Sequence, residues 1–443
     1  MDPTIFKAYD VRGICPEQID ETVVFKVASA LAVFLKDYYN IEKPKIVVGH
    51  DMRESSKIFN NSAREALKNQ GCEVIDIGLC STPLNGFANS HLEADGSIMI
   101  TASHNPKEYN GLKLFLRGGL EIPEINAMDD IRKIASGDFK SFTNGEIKEI
   151  DLSDEYINFI AEQVKDVDFS KFRIAVDCGN GMAGPFFKKL AEKLKLRYSG
   201  LFMDPNGDFP NHPPDPLNKE SLVAIKELMG KEEFSLGVLF DGDADRLQII
   251  DNNGEILDMG SLIGIFAKEF LSKHKTIPCD ARISRGVVEE IERLGGNILK
   301  TKVGRPNLKK AMRKEEAFFG GELSGHLFWQ DFFYSESALL ALIKLLGILE
   351  KNTFEELKKP FGKYFFPGQI NLEGIEDKEG KIKEIEKNYS DGEVSHLDGL
   401  TVEYSDWWFN LRPSNTEPLL RLTIEANTKE LLDEKIKELK SLI

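Results

Sequence analysis

Three aspartates alternate along one short turn. Asp241, Asp243 and Asp245 stand in the run DGDADR, directly after the apolar run SLGVLF. Carboxylates at alternate positions on a glycine-loosened turn can converge on one hard cation, which takes oxygen ligands. A calcium EF-hand begins similarly, but its sixth and twelfth positions need glycine and glutamate, where this chain has Arg246 and Asn252. The run therefore predicts a Mg²⁺ site, and the alternative is a solvated acidic turn.

The run ITASHNP presents a single hydroxyl. Ser103 follows the apolar run GSIMI and precedes His104, Asn105 and Pro106. A proline restricts its own backbone and that of the residue before it, so we expect a fixed loop and not the start of a helix. This loop places the serine at the end of a strand.

Two later runs carry polar groups suited to a small ligand. In GELSGH, glycines flank Glu322, Ser324 and His326, which suits a loop that a polar ligand approaches closely, although a surface loop is an open alternative. In RPSNTEP, an arginine fork and hydroxyl and amide donors can hold a phosphate dianion, and the alternative is a proline-defined turn. The residues concerned are Arg412, Ser414, Asn415 and Thr416, with Arg421 close behind.

One motif favours a different enzyme class. GNGMAG at 179–184 fits G-x-G-x-x-G between a strand and a helix, and Asp204 follows about 20 residues later, as in a dinucleotide-binding unit. An NAD-dependent dehydrogenase is therefore an alternative. The motif is short and leaves the other three runs without a role, so we interpret it as a tight strand-to-helix turn.

Strand-like and helical patterns alternate along most of the chain. Helical patterns separate the strand-like runs, which predicts βαβ units with buried strands. The strand-like runs are 45–51, 73–78, 97–103, 172–181 and 235–246. Two apolar runs around Asn253-Gly254 predict a tight hairpin. A Lys/Glu-rich stretch between about 362 and 400 marks a boundary before a last unit, which ends in an amphipathic helix from about Thr428.

Composition limits the class of protein. The chain has 443 residues, 41% hydrophobic and 29% charged, which is ordinary for a globular protein and suggests about three domains at roughly 150 residues each. The net charge of -16 argues against a nucleic-acid partner, so an anionic substrate needs a local positive pocket. We interpret Lys309 and Lys310 as a solvated helix face.

Cysteine usage and hydropathy indicate a cytoplasmic protein. The five cysteines are odd in number and scattered without a C-x-x-C pair, so neither a disulfide framework nor a zinc site is predicted. The N-terminal run MDPTIFKAYD has no signal-peptide pattern, and the apolar stretch 337–350 is short and interrupted by Lys344. We therefore expect no membrane span.

Taken in order, these runs resemble the α-D-phosphohexomutase superfamily over almost the whole chain. Seven ordered matches are far more specific than any one alone. TASHNP and the leucine of GELSGH point to the phosphomannomutase/phosphoglucomutase group, since phosphoglucosamine mutases usually carry glutamine at that position. The matching runs are KAYDVRG at 7–13, ITASHNPKEYNGLK at 100–113, VDCGNGMAG at 176–184, FPNHPPDPL at 209–217, DGDADR, GELSGH and RPSNTEP.

The resemblance implies an α/β fold of three similar mixed α/β domains plus a C-terminal α+β domain like the TATA-binding protein, around a central cleft that holds the active site. We place the domains at 1–148 (phosphoserine loop), 149–252 (metal-binding loop), 253–362 (sugar-binding loop) and 363–443 (phosphate-binding loop).

The resemblance also implies a mechanism. Ser103 is expected to be a phosphoserine that gives its phosphoryl group to a hexose 1-phosphate, forms a hexose 1,6-bisphosphate and takes back the other phosphate. Asp241, Asp243 and Asp245 are expected to hold one Mg²⁺ against an oxygen on Ser103. Arg246 and His104 are expected to steady the moving group.

Further roles follow from the same resemblance. Lys113, His326 and Arg12 match a basic cluster that serves acid–base catalysis, with Lys113 the principal candidate. Glu322 and Ser324 are expected to bind sugar hydroxyls. The other expected substrate-binding residues are Tyr9, Arg305, His326, Arg412, Ser414, Asn415, Thr416 and Arg421.

The chain is thus expected to be an isomerase acting on mannose or glucose phosphates. A hexose 1,6-bisphosphate is expected to activate it, and a cytoplasmic monomer or homodimer is expected. A phosphoglucosamine mutase is the nearest alternative. More remote ones are the dehydrogenase and a non-catalytic sugar-phosphate sensor.

Overall fold

The computed structural model describes residues 1–142, 144–414 and 419–443. The chain divides into two units, each treated by itself below. The first unit comprises Met1–Leu257 and Ser324–Asn352, and the second comprises Asp258–Leu323 and Thr353–Ile443.

The first unit begins with a six-stranded mixed sheet in the order β1-β5-β4-β2-β3-β6. β2 is parallel to β3 and β4, whereas β5 is antiparallel to β4 and β1. All five residues of β4, GSIMI, are buried, as expected for a strand covered on both faces. The elements are β1 Val11–Ile14, α1 Glu21–Tyr39, β2 Lys45–His50, α2 Glu54–Asn69, β3 Glu73–Leu79, α3 Thr82–His91, β4 Gly96–Ile100, β5 Tyr109–Leu116, α4 Met128–Ala135 and β6 Glu146–Glu149.

A four-stranded sheet in the order β10-β9-β7-β8 follows in the first unit. β7 is parallel to β8 and β9, and β10 runs antiparallel to β9. The expected hairpin after β10 is only partly correct, because Ile256 returns through a single bridge to Ile250 and not as a strand, before Asp258 caps the next helix. The elements are α5 Ser153–Glu162, β7 Arg173–Asp177, α6 Ala183–Leu194, β8 Arg197–Leu201, α7 Leu222–Met229, β9 Leu236–Phe240 and β10 Leu247–Ile250.

The second unit opens with parallel strands, β11 beside β12 and β13. The elements are α8 Met259–Phe270, β11 Thr276–Asp280, α9 Arg285–Arg293, β12 Asn297–Thr301, α10 Arg305–Glu315 and β13 Phe319–Gly321. Lys310 is exposed as expected, but the interpretation of Lys309 as solvated is wrong, because it is fully buried on the face of α10 that carries Leu308 and Met312.

The chain then contributes one more segment to the first unit. β14 Leu327–Trp329 pairs antiparallel with β15 Ser335–Glu336, and α11 Ala338–Leu349 follows. Phe332 and Phe333 in this segment pack against Phe159, with ring centroids 6.0 and 5.8 Å away. The segment therefore joins the aromatic core of the first unit.

The C-terminal part of the second unit is an antiparallel sheet with helices, which confirms the expected α+β domain. Its strand order is β16-β20-β19-β18-β17, and one face packs on α13 and α14 around Phe409 and Leu422. Thr428 caps α14, as the sequence predicts. The elements are α12 Phe354–Lys358, β16 Gln369–Leu372, α13 Lys378–Asn388, β17 Glu393–Ser395, β18 Leu400–Glu403, β19 Trp407–Pro413, β20 Leu420–Ala426 and α14 Lys429–Leu442.

Short 3-10 helices and free thiols complete the description. The 3-10 helices are Pro3–Ile5, Arg117–Gly119, Ile122–Ile125, Phe169–Lys171 and Gln330–Phe332. All five cysteines are free thiols, four of them buried. Among the described residues, no helix has both the length and the apolar character needed to cross a membrane.

The glycines of GNGMAG have a packing explanation. Gly179 adopts a positive φ of 52° in the turn between β7 and α6, and a Cβ on Gly184 would lie 1.9 Å from the carbonyl oxygen of Met203. Asp204 bonds Lys188 at the surface, at 2.7 Å. These contacts support the interpretation of a tight strand-to-helix turn.

Replacing Gly184 should therefore destabilise the fold. We expect Gly184→Ala to lower the free energy of unfolding by about 1–3 kcal/mol, because the added methyl group meets main chain that cannot move freely. The matched control is Gly230→Ala, where the nearest atom lies 3.4 Å from the added Cβ. Urea unfolding of both variants is the measurement, and equal losses would contradict the packing argument.

Candidate functional site

The serine loop leaves the end of β4 in a constrained conformation. Ser103 is 2% exposed and adopts φ 51°, a left-handed conformation that costs a non-glycine residue on the order of 1–3 kcal/mol. Its amide donates to Thr101 Oγ1 at 2.8 Å. Its Oγ lies 3.2 Å from Asp241 Oδ2 and 3.2 Å from His104 Nδ1. The loop thus aims the hydroxyl at the acidic run.

The acidic run forms a tight turn directly after β9. Asp241 Oδ1 accepts the main-chain N–H groups of Asp245 and Arg246, at 3.0 and 3.1 Å. A Cβ on Gly242 would lie 2.5 Å from the carbonyl oxygen of Ser103. Glycine at this position therefore allows the acidic turn and the serine loop to touch.

The three carboxylates suit a divalent cation. Asp241, Asp243 and Asp245 are all buried, which rules out a solvated turn, and one ligand atom from each lies within 4.8 Å of the others. Burial, together with the charges of Asp245 and Asp243, raises the pKa of Asp241 well above its ordinary value. Asp243 Oδ1 is buried and has no hydrogen-bond partner among the described residues. A hard cation would satisfy these oxygens and relieve their repulsion.

Lys113 supplies positive charge to the same turn. It lies on β5 opposite Met99 of β4, and its Nζ is 2.6 Å from Asp243 Oδ2 and 2.7 Å from Asp245 Oδ2. Thr82, at the start of α3, donates its hydroxyl to Asp243 Oδ2. Burial and the charge of Asp245 act to raise the pKa of Asp243, but Lys113 and Thr82 outweigh them and lower it. The sequence analysis did not identify Thr82, because only a contact across the fold reveals it.

Arg246 and His104 lie on either side of the hydroxyl and its acidic neighbour. Arg246 donates Nη2–H to His104 Nδ1 at 2.6 Å, and its Nε lies 3.6 Å from Asp241 Oδ2. Burial, with the nearby charges of Arg246 and Arg12, lowers the pKa of His104 well below its ordinary value. His104 is therefore a neutral imidazole whose Nδ1 accepts hydrogen bonds.

His326 and Ser324 join the site from the segment that returns to the first unit. His326 Nε2 is 3.4 Å from Asp245 Oδ1, and its Nδ1 is 2.9 Å from Ser324 Oγ. His326 also forms a β-bridge with Arg246. The surface-loop alternative for this part of GELSGH is therefore wrong.

Arg12, on β1, contacts the serine loop. Arg12 donates Nη1–H to Asn105 Oδ1 at 2.6 Å and pairs with Asp10. Tyr9 is half-buried in the preceding turn. The first unit thus brings together ten of the expected site residues: Arg12, Ser103, His104, Lys113, Asp241, Asp243, Asp245, Arg246, Ser324 and His326.

The second unit holds a separate group of expected residues around Glu322. Glu322 is buried, and its Oε1 accepts the main-chain N–H of Gly304 at 2.6 Å. Gly304 has φ 122° and immediately precedes Arg305, the buried first residue of α10. Asp280 Oδ2 accepts the main-chain N–H of Leu323 at 2.8 Å. The carboxylate of Glu322 is therefore held at Gly304, and the main chain that follows Glu322 is held at Asp280.

Arginines in the second unit form a positive cluster. Arg412 and Arg421 are directly opposite each other in β19 and β20. Arg412 lies 3.6 Å from Asp398, yet burial and the charge of Arg282 lower the pKa of Arg412 to about 10. Its Nη2 has no hydrogen-bond partner within the described part of the chain. An anion bound here would stabilise this guanidinium.

The sequence analysis did not identify every residue of this arginine cluster, and some expected phosphate-binding residues lie outside the described part of the chain. Arg282, paired bidentately with Asp280 at 2.9 and 2.8 Å, had no signal in the sequence. The main-chain N–H of Ser414 donates to the carbonyl of Leu419 at 2.9 Å. Asn415 and Thr416 lie outside the described residues.

A divalent cation should stabilise the folded chain through the three aspartates. We expect Mg²⁺ to raise the Tm of the wild type, since a ligand at 100 times its Kd adds about 2.7 kcal/mol to stability. Asp243→Asn should abolish this rise, because it neutralises one of the three carboxylates. The control Asp168→Asn alters an exposed aspartate, and Mg²⁺ should still raise the Tm of this variant. Thermal unfolding measures the shift, and an unchanged shift in Asp243→Asn would contradict the assignment.

Four protein-family models match consecutive parts of the chain. They describe phosphoglucomutase/phosphomannomutase alpha/beta/alpha domains I, II and III and the C-terminal domain of the same proteins. The matched residues are 3–140, 154–254, 259–364 and 370–440.

Individual proteins are similar over the full length. A phosphomannomutase of Methanocaldococcus jannaschii is 36% identical, covering 100% of this chain and 98% of its own. A phosphomannomutase of Escherichia coli strain K12 is 32% identical, covering 96% of this chain and 95% of its own. A crystal structure of a phosphoglucomutase/phosphomannomutase family protein from Burkholderia thailandensis has a TM-score of 0.90 at 30% identity, covering 100% of this chain and 97% of that one.

Proposed function

Because the chain belongs to the phosphoglucomutase/phosphomannomutase family, we propose that it interconverts hexose 1-phosphates and hexose 6-phosphates through a phosphorylated Ser103. The relatives named phosphomannomutase support a hexose phosphate substrate. The observation that carries the proposal is the 3.2 Å contact between Ser103 Oγ and Asp241 Oδ2, in a turn whose three buried carboxylates suit a cation.

The proposed reaction consists of two phosphoryl transfers, the first from Ser103 to the sugar and the second from the other end of the sugar back to Ser103. The bond from phosphorus to Ser103 Oγ breaks as O6 of a hexose 1-phosphate bonds to phosphorus, and the O6 proton passes to a base. The hexose 1,6-bisphosphate then gives its C1 phosphoryl group to Ser103 Oγ, and O1 regains a proton. A serine hydroxyl is a weak nucleophile, so this exchange depends on alignment and on charge neutralisation.

The aspartates are proposed to hold Mg²⁺. Bound there, the ion would neutralise charge on the phosphoryl oxygens. Arg246 is proposed to add a second positive group, and the neutral His104, which accepts from Arg246 at 2.6 Å, is proposed to keep the arginine in place. These contacts exist before any substrate is bound, which favours a preorganised site.

The acid–base roles follow from the charges around each group. Lys113 Nζ lies 2.6 and 2.7 Å from two carboxylates, and we propose that it donates a proton or balances charge there. We propose His326 as the proton acceptor, because its ring is oriented by Ser324 and Asp245. Arg12 is proposed to orient the serine loop and the substrate.

Substrate recognition is proposed to use hydroxyl and phosphate contacts that serve either end of the bisphosphate. Glu322 and Ser324 are proposed to bind sugar hydroxyls, and Arg412 the phosphate that does not react. Contacts of this kind would accept mannose and glucose alike. Further proposed contacts come from Tyr9, Arg305, Ser414, Asn415, Thr416 and Arg421.

The remaining features of the proposal concern context. We propose that a hexose 1,6-bisphosphate restores the phosphoserine when it is lost, and so acts as an activator. We propose a cytoplasmic enzyme that works as a monomer or homodimer. The domain boundaries near residues 148, 252 and 362 stay predictions.

Removing the serine hydroxyl should abolish turnover. We expect Ser103→Ala to lower kcat by more than about a thousandfold, because the acceptor oxygen is lost. The assay uses glucose 1-phosphate, mannose 1-phosphate and glucosamine 1-phosphate, with Mg²⁺ and a bisphosphate primer. Ser136→Ala, at an exposed helix end, is the control. Comparable activity in Ser103→Ala would refute the proposal, and faster turnover of the glucosamine substrate would identify a phosphoglucosamine mutase.

Replacing the buried arginine of the phosphate loop should weaken binding. We expect Arg412→Lys to raise KM for the hexose phosphate about tenfold or more, because an ammonium cannot engage two phosphate oxygens as a guanidinium fork does. Arg293→Lys, which changes an exposed arginine paired with Glu290, is the control. Steady-state kinetics measure both variants, and an unchanged KM in Arg412→Lys would remove Arg412 from the binding site.

A further inference from the structure

One buried arginine is bonded to the main chain of the serine loop at several points. The side chain of Arg53 is 1% exposed and extends from the N-terminal end of α2. Its guanidinium donates to four main-chain carbonyl oxygens of that loop: Ser103 at 3.0 Å, Asn105 at 2.6 Å, Pro106 at 2.7 Å and Tyr109 at 3.1 Å. Ser103, Asn105 and Pro106 lie outside the sheet and Tyr109 begins β5. A side chain therefore supplies the donors that a neighbouring strand does not provide along this stretch.

Arg53 itself is fixed by contacts with an aspartate, an aromatic ring and a glycine. Asp51, at the end of β2, accepts Arg53 Nε–H at 3.2 Å and the Arg53 main-chain N–H at 3.0 Å, and also binds Ser56 Oγ. The ring of Phe209 lies over the guanidinium, 5.0 Å from its centre. A Cβ on Gly207 would lie 2.6 Å from Arg53 Cα. Asp51 and Phe209 thus hold the guanidinium, and Gly207 packs against the Arg53 backbone.

This arrangement explains how Ser103 is kept at φ 51°. A strained backbone conformation persists only where the surrounding structure over-determines it. The carbonyl of Ser103 is fixed between the Arg53 donor and Gly242 of the acidic turn. Fixing that peptide group also fixes the direction of the serine side chain toward Asp241.

We propose that Arg53 is a positioning residue for phosphoryl transfer, which keeps Ser103 Oγ beside the acidic turn by binding the carbonyls of the serine loop. This inference rests on the proposed function of Ser103. Arg53 directs its donors to main chain and to Asp51, so it acts through the loop and not on the phosphoryl group. Only a planar fork with five donors fits this set of acceptors, and an ammonium with three does not.

The test compares Arg53→Lys with Arg64→Lys in the full chain with Mg²⁺. Arg64 also lies on α2 and pairs with a buried aspartate, Asp76, but does not contact the serine loop. We expect Arg53→Lys to lower kcat about a hundredfold, the effect of a displacement near 1 Å, while KM changes less than about twofold. Transfer of phosphate from a hexose 1,6-bisphosphate to Ser103, followed by intact mass, should slow by the same factor. Arg64→Lys should match the wild type in both assays.

A second measurement needs no activity. Hydrogen exchange of the amides of Ser103, Asn105 and Tyr109 should speed up about tenfold or more in Arg53→Lys and not in Arg64→Lys. If Arg53→Lys does not fold, the double variant Asp51→Asn with Arg53→Met, which removes both buried charges, replaces it. Equal exchange and equal kcat in the two single variants would overturn the proposal. A wild type without mutase activity would refute the proposed function, and the exchange comparison would still decide whether Arg53 fixes the loop.

Discussion

The first unit depends on the compensation of three carboxylates buried within one turn. Asp241, Asp243 and Asp245 would repel one another strongly in a low-dielectric interior without nearby positive charge. Lys113 binds two of them directly, and Arg246 lies 3.6 Å from the third. A divalent cation would complete this balance. The hydroxyl of Thr82 adds a hydrogen bond to Asp243, and with Lys113 it lowers the pKa of that carboxyl.

A second constraint couples this turn to the serine. The carboxyl ends of β4 and β9 both lead into irregular loops, and Gly242 lets these loops meet at the carbonyl of Ser103. The backbone of Ser103 is strained, and Arg53, which binds the Ser103 carbonyl, is buried. Under the proposed function, the hydrogen bonds from Arg53 would hold this strained backbone and keep Ser103 Oγ fixed during phosphoryl transfer.

Much of the fold and of the candidate site could be predicted from the sequence. The residues that could not be predicted were missed for a physical reason. The α/β pattern, the α+β C-terminal unit and the family resemblance are confirmed, because local periodicity and short motifs carry them. Ser103 and the aspartates were found because their chemistry lies in contiguous runs. Thr82, Arg53 and Arg282 were missed, since their partners lie in distant segments that only the fold brings near. Lys309 was misjudged because a lysine on a polar helix rarely faces a core.

We propose that Ser103 Oγ and the three aspartates form one site. The affinity for Mg²⁺ tests this directly, measured by calorimetry on the chain with Ser103 phosphorylated and on the same chain after removal of the phosphate. We expect binding about tenfold tighter, or more, in the phosphorylated form, because a phosphoryl oxygen adds a charged ligand to the carboxylates. Equal affinities, or tighter binding without the phosphate, would contradict it.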